Sequence, residues 1–154
     1  MTDKIIRDRR ILKKIITDLQ SKKKKIVFTN GCFDLIHVGH VRYLRDAKRL
    51  GDTLVIGLNS DSSVSSIKPG RPVTPEHERA EVLASLEMVD YVILFREETP
   101  YELIKEIRPD VLVKGADWNI NDIVGKDIVK EVRTIPFIEG ISTTRIIQKI
   151  QALS

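Results

Sequence analysis

The sequence predicts an α/β fold built on a single doubly wound parallel sheet of five strands, with an extra N-terminal helix. Three observations predict it. Short apolar runs alternate with segments of helical periodicity, the runs are continuous rather than alternating, and the connections between them are short. Sheets of this kind bind ligands at the carboxyl ends of their strands, where strand order reverses.

Residues 4–20 place Ile5, Ile11, Leu12, Ile15, Ile16 and Leu19 at the spacing of one helical face. Ile26-Val27-Phe28-Thr29 reads as the first buried strand. A helix is expected from near Gly39 through Tyr43, Leu44 and Ala47 to Leu50, with Gly51 as its stop. Thr53–Leu58 is the second strand, and Asn59-Ser60-Asp61-Ser62-Ser63 supplies turn and cap chemistry. Lys68-Pro69-Gly70-Arg71-Pro72 excludes regular structure and reads as a mobile loop. Thr74 is expected to cap a helix that begins with Pro75 and runs through Arg79 and Leu83 to Leu86. Tyr91–Phe95 is the third strand, Tyr101–Ile107 a helix and Val111–Lys114 the fourth strand. Residues 121–131 are expected to be helical, Val132–Pro136 to be the fifth strand and Ser142–Leu153 the last helix. The reading divides the chain into a basic helix and linker over 1–24 and one domain over 25–154, with no internal repeat.

A chain of 154 residues with 42% hydrophobic and 31% charged residues can bury a core without disulfides, and its single cysteine excludes an intramolecular one. Met1–Gln20 has no signal-peptide pattern, and no apolar run approaches the roughly 20 residues that span a bilayer. A cytoplasmic protein is expected, with no membrane partner. The net charge of +4 is concentrated in Arg7, Arg9, Arg10, Lys13, Lys14 and Lys22–Lys25. No aromatic residues are interleaved with these cations, so the segment reads as a solvated helix face and basic loop rather than a nucleic-acid patch.

Two motifs carry chemistry. Asn30-Gly31-Cys32-Phe33-Asp34-Leu35-Ile36-His37-Val38-Gly39-His40 lies between a buried strand and a helix start, where backbone N–H groups and the helix dipole attract anions. His37 and His40 can point into one pocket there and donate hydrogen bonds to phosphate oxygens, with Gly39 allowing close approach to the backbone. A metal site is the competing use of two histidines, but no cysteine pair or further histidine set completes one. Glu139-Gly140-Ile141-Ser142-Thr143-Thr144-Arg145 opens the last helix. One hydroxyl would cap it; three hydroxyls and an arginine offer several donors and a cation to a polyphosphate.

Together, HVGH and ISTTR resemble the signatures of the cytidylyltransferase-like nucleotidyltransferase superfamily, over about residues 25–150. The GxFD run at Gly31, Phe33 and Asp34 and the strand-end run Val113-Lys114-Gly115-Ala116-Asp117-Trp118 belong to the same resemblance. HxGH alone is also similar to class I aminoacyl-tRNA synthetases, which need a far longer chain. The segments FTNGCFDLIHVGHVRYL, GLNSDSSV, RPVTPEHERAEVLASLEMVDYV, RPDVLVKGADW and EGISTTRII resemble the heptose 1-phosphate adenylyltransferases, which make ADP-heptose for lipopolysaccharide cores. In that family the domain occurs alone or fused behind a sugar kinase, and this short chain is expected to be the free-standing form. Glycerol-phosphate cytidylyltransferases share GDDW-like and RTEGISTT-like runs, but Phe137 stands where the second run has arginine.

The resemblance implies a Rossmann-like nucleotidyltransferase that joins AMP from ATP to a heptose 1-phosphate, with Mg²⁺ accompanying the ATP. His37, His40 and Lys68 are the implied catalytic residues, with Lys68 brought to the reacting phosphates by its loop. The implied nucleotide and phosphate site comprises Thr29, Asn30, Gly31, Cys32, Phe33 and Gly39, then Arg79, Lys114, Gly115, Asp117 and Trp118, and finally Ser142, Thr143, Thr144 and Arg145. Asp34 is a substrate-binding candidate or an ordinary turn residue. Trp118 lines the nucleotide pocket or merely packs, and Cys32 reads first as a small packing residue. Relatives are often dimers, so a homodimer is expected. The alternatives are a cytidylyltransferase acting on glycerol 3-phosphate or a similar alcohol, and a nucleotide-binding regulatory module without catalysis.

Overall fold

The computed structural model describes residues 3–154. In chain order the elements are β1 (Ile5–Ile6), α1 (Arg9–Ser21), β2 (Ile26–Gly31), α2 (Val38–Lys48), β3 (Thr53–Asn59), α3 (Asp61–Ile67) and α4 (Glu76–Ala84). They continue with β4 (Tyr91–Phe95), α5 (Tyr101–Ile107), β5 (Val111–Gly115), a 3₁₀ turn (Ile120–Asp122), β6 (Glu131–Ile135) and α6 (Thr143–Ala152). The strands form one parallel sheet in the order β1-β4-β3-β2-β5-β6.

The apolar strand runs follow from burial on both faces. Along β3, Leu54, Ile56 and Leu58 enter a core with Val27, Leu44 and Leu83, under α2 and α4. Val55 between them enters a second core with Leu12, Ile16, Phe28, Leu103 and Ile104, under α1 and α5. Alternate side chains therefore reach different cores, and the strand shows no polar face. The chain lays β3 and β4 on one side of β2 and then crosses to lay β5 and β6 on the other. The reversal of strand order thus falls at β2, where a crevice is expected.

Four features differ from the expectations. The sheet has six strands, not five, because Ile5 and Ile6 pair with Val92 and Ile93 at the edge of the sheet. Helical spacing counted Ile5 as part of a helix face, but Asp8 caps α1 by accepting from the Arg10 N–H at 2.8 Å and stops the helix from starting earlier. The segment 61–67, read as turn chemistry, forms the short helix α3, capped by Ser60 Oγ accepting from the Ser63 N–H at 3.2 Å. Residues 121–131 are not a helix. Gly125 sits at φ +93°, where a Cβ would also come within 2.8 Å of Ile104, so the chain turns over α5 instead. Finally, α4 is capped by Pro75 with no side-chain bond rather than by Thr74, whose backbone is engaged elsewhere.

Candidate active site

The carboxyl ends of β2, β3, β4 and β5 surround a cavity of about 480 Å³. Its floor is the loop that carries β2 into α2. In that loop Phe33 (φ +46°) and Leu35 (φ +52°) adopt the left-handed conformation without being glycine, a cost that persists only where surroundings impose it. The imposing contacts converge on Asp34, which lies between them and is 3% exposed. Its carboxylate accepts from the backbone N–H groups of Val73 (2.8 Å) and Thr74 (3.0 Å), and Arg71 lies 3.9 Å away. Its backbone carbonyl accepts from Thr143 Oγ1 at 2.6 Å. One residue thus ties together the β2–α2 loop, the loop before α4 and the start of α6.

His37 is the N-cap of α2. Its Nδ1 accepts from the Gly39 N–H at 3.0 Å, while His40 Nδ1 accepts from the His37 N–H at 3.3 Å. The rings stack with centroids 3.9 Å apart. A Cβ on Gly39 would fall 2.8 Å from His37 Cε1, so this arrangement requires glycine. Burial pushes His40 down to about 4, with His37 and Lys68 adding repulsion, and burial also lowers His37. Both rings are therefore neutral at pH 7. Because each Nδ1 accepts a hydrogen bond from a backbone N–H, each Nε2 carries the ring proton and is a donor. Two aligned donors at a helix N-terminus are an anion-binding arrangement.

The structure brings Asn30, Gly31, Cys32, Phe33, Asp34 and His40 to the cavity, together with Lys68, Thr143, Lys114, Gly115 and Trp118. Asn30 Oδ1 is buried there without a hydrogen-bond partner. Lys114 Nζ lies 4.9 Å from the centre of the Trp118 ring; burial lowers the Lys114 pKa, while Cys32 and Asp117 oppose that shift. Cys32 is a free thiol. The loop at 68–72 is tethered: the Arg71 N–H donates to the Lys68 carbonyl, and Arg71 Nη2 donates to Thr144 Oγ1 at 3.2 Å.

The remaining expected residues, His37, Gly39, Thr144 and Arg145 among them, lie outside the cavity lining. Thr29 is fully buried, and its hydroxyl shares a 2.8 Å hydrogen bond with Tyr43. Ser142 caps α6 by accepting from the Arg145 N–H at 3.1 Å, and the Asp117 carboxylate folds back against Gly115. Arg79 is 1% exposed, and its guanidinium donates to the carbonyls of Thr74, Cys32 and Asn59 and to the Asp61 carboxylate. It holds the floor in shape and presents nothing to a ligand. Tyr43, Asn59, Arg71 and Glu98 also line the cavity, although no sequence motif marks them. Tyr43 carried a usable signal, three residues after His40 and so on the same helical face. Arg71 sat beside Lys68 in the loop already singled out. Glu98 had none beyond its place after a strand.

Residues 28–149 match the family model described as cytidylyltransferase-like. The bifunctional protein HldE of Nitratiruptor sp. is 53% identical over 98% of this chain and 33% of its own length. That of Campylobacter concisus is 59% identical over 86% of this chain and 28% of its own length. The chain thus spans about a third of the length of the curated relatives it matches. Among solved structures, a lipopolysaccharide core biosynthesis protein from Thermoplasma volcanium is similar at a TM-score of 0.64 and 30% identity, over 75% of this chain and 99% of that one. A pantoate-beta-alanine ligase from Francisella tularensis shares the fold at a TM-score of 0.63 and 16% identity, over 96% of this chain and 76% of its own.

Proposed function

This chain belongs to the cytidylyltransferase-like family, and on that premise we propose that it transfers AMP from ATP to D-glycero-β-D-manno-heptose 1-phosphate. The products are ADP-heptose and pyrophosphate. The observation that carries the transferase reading is the stacked pair of neutral histidines at the start of α2, each with an Nε2 donor, of which His40 lines the same cavity as Thr143 at the start of α6. The heptose rests on the resemblance of five whole segments and on the similarity to the HldE proteins.

In this reading a phosphate oxygen of the sugar phosphate attacks the α-phosphorus of ATP in line. The bond from that phosphorus to the β-bridging oxygen breaks, and pyrophosphate leaves with its electrons. The nucleophile is already ionised at pH 7, so the protein need not remove a proton. Its work is positioning and offsetting negative charge. His37 and His40 donate to the phosphates. Lys68 adds charge from its loop, and Ser142, Thr143, Thr144 and Arg145 hold the far phosphates from α6; the Thr143 hydroxyl must leave the Asp34 carbonyl to donate to them, whereas Thr144, which accepts from Arg71, keeps its proton free. ATP would enter as its Mg²⁺ complex, the metal offsetting phosphate charge; among the described residues no group of three acidic, histidine or cysteine side chains could hold a metal ion.

The proposal includes a cytoplasmic homodimer. No residue of α6 is buried, and Ile150 and Leu153 at its end are exposed, apolar side chains that a second copy would cover. Among the described residues no helix is long and apolar enough to cross a membrane.

The deciding experiment is pyrophosphate release with ATP or CTP crossed against heptose 1-phosphate or glycerol 3-phosphate. Release with ATP and the heptose alone is expected. Release with CTP and glycerol phosphate overturns the substrate, and ATP binding without release under any combination overturns the enzyme reading.

A further inference from the structure

We propose that Glu98 reads the hydroxyl groups of the acceptor, so that the end of β4 is the acceptor wing of the cavity. This rests on the transferase reading above. Strand order places the carboxyl ends of β4, β3, β2 and β5 side by side, and the cavity crosses all four. Its centre lies over β2, where His40 and Thr143 line the cavity and the His37 ring stacks on His40. At β5, Lys114 and the Trp118 ring offer a cation and an aromatic face, chemistry that takes a nucleobase and its phosphates. What remains for an acceptor is the wing at β3 and β4, formed by Asn59, Ile67 and the segment Glu98-Thr99-Pro100.

Only two carboxylates line the cavity. Asp34 is committed to the Val73 and Thr74 N–H groups. The preceding residue in the chain, Glu97, is locked onto Arg9 at 2.6 and 2.7 Å. Glu98 makes no hydrogen bond or ion pair among the described residues and is exposed. A free carboxylate repels phosphate, so it faces a part of the ligand that bears donors and no negative charge. Ionised carboxylates only accept hydrogen bonds, and two oxygens suit a pair of neighbouring hydroxyls. The carboxylate also belongs to no group of metal-binding side chains among the described residues. The ligand class is therefore a polyhydroxylated phosphate ester.

The test compares the unaltered protein with Glu98→Ala and Glu98→Gln in pyrophosphate release, varying heptose 1-phosphate, ATP and Mg²⁺ in turn. In Glu98→Ala the KM for the heptose phosphate should rise about tenfold or more, the effect of losing hydrogen bonds to a charged group. Glu98→Gln should fall between, since it keeps one acceptor oxygen. The KM for ATP, the Mg²⁺ requirement and the melting temperature should not move. An unchanged heptose KM in both variants overturns the proposal. So does a shift in the ATP KM or the Mg²⁺ requirement, which would put Glu98 beside the nucleotide, or a lowered melting temperature, which would make it structural. If the unaltered protein releases no pyrophosphate with the heptose phosphate, the transferase reading falls and takes this proposal with it; that result is visible before any variant is made.

Discussion

His40 is caught between two demands. It must stay neutral to keep its Nδ1 as an acceptor, yet its half-buried ring sits by Lys68, where the proposed reaction brings phosphate. His40→Ala should lower kcat by about 10²-fold or more, the scale of losing a transition-state donor, with the circular dichroism spectrum unchanged; near-normal turnover would remove it from the mechanism. The same ring predicts a pH effect on stability. Above pH 6.5 neither folded nor unfolded chain binds a proton there. Between 6.5 and about 4 the unfolded chain does and the folded chain does not, so stability is lost as pH falls through that window and levels off below it. The loss is at most roughly 3 kcal/mol, from about 1.4 kcal/mol per unit. Denaturation midpoints at pH 7 and 4.5 should therefore separate less in His40→Ala than in the unaltered protein, and equal separations would refute it. The histidine pair was legible because its spacing straddles a helix start. The roles of Arg79 and Asp34 were not, because both depend on carbonyls and N–H groups from segments distant in the chain, which no local pattern reports.

Among the elements, the loop before α4 is probed by two contrasting substitutions, one at Asp34, which anchors it from the β2–α2 loop, and one at Lys68 within it. Asp34→Asn keeps the shape but turns one acceptor oxygen into an NH₂ that opposes a backbone N–H. It should cost about 1–3 kcal/mol and lower both melting temperature and kcat. Lys68→Ala, exposed in the loop before α4, should reduce activity with little change in melting temperature. If the two variants behave alike in a thermal melt, the division between anchor and working cation is wrong. The central strands could be read from sequence because burial on two faces leaves an unbroken apolar run. The elements that were misread are those whose limits are set by one cap or one backbone angle. Asp8 shortens α1 from its start, Ser60 draws a serine-rich stretch into α3, and Gly125 breaks the apolar pattern over 121–131. Propensity over a window averages such single-residue decisions away.

For the molecule as a whole, the two-residue strand β1 matters more than its length suggests. It covers the outer edge of β4, where the Val92 N–H donates to the Lys4 carbonyl at 2.9 Å. A protein shortened by residues 1–7 should expose that edge, melt earlier and scatter more light on concentration, since uncovered strands recruit other chains; unchanged melting and scattering would show that the edge is guarded otherwise. The sheet and its cavity are also distinguishable by eye of a different kind. The chain has a single tryptophan, and Trp118 is half-exposed at the cavity under the Lys114 ammonium and belongs to neither apolar core. Its ultraviolet emission is thus a local beacon and carries no signal from the packed interior. Titrated nucleotide should change its intensity directly, without any label. The same placement gives an unfolding curve followed by emission a restricted meaning: it times the loosening of the cavity rim, and only its coincidence with a curve followed by far-ultraviolet circular dichroism would let it stand for the sheet.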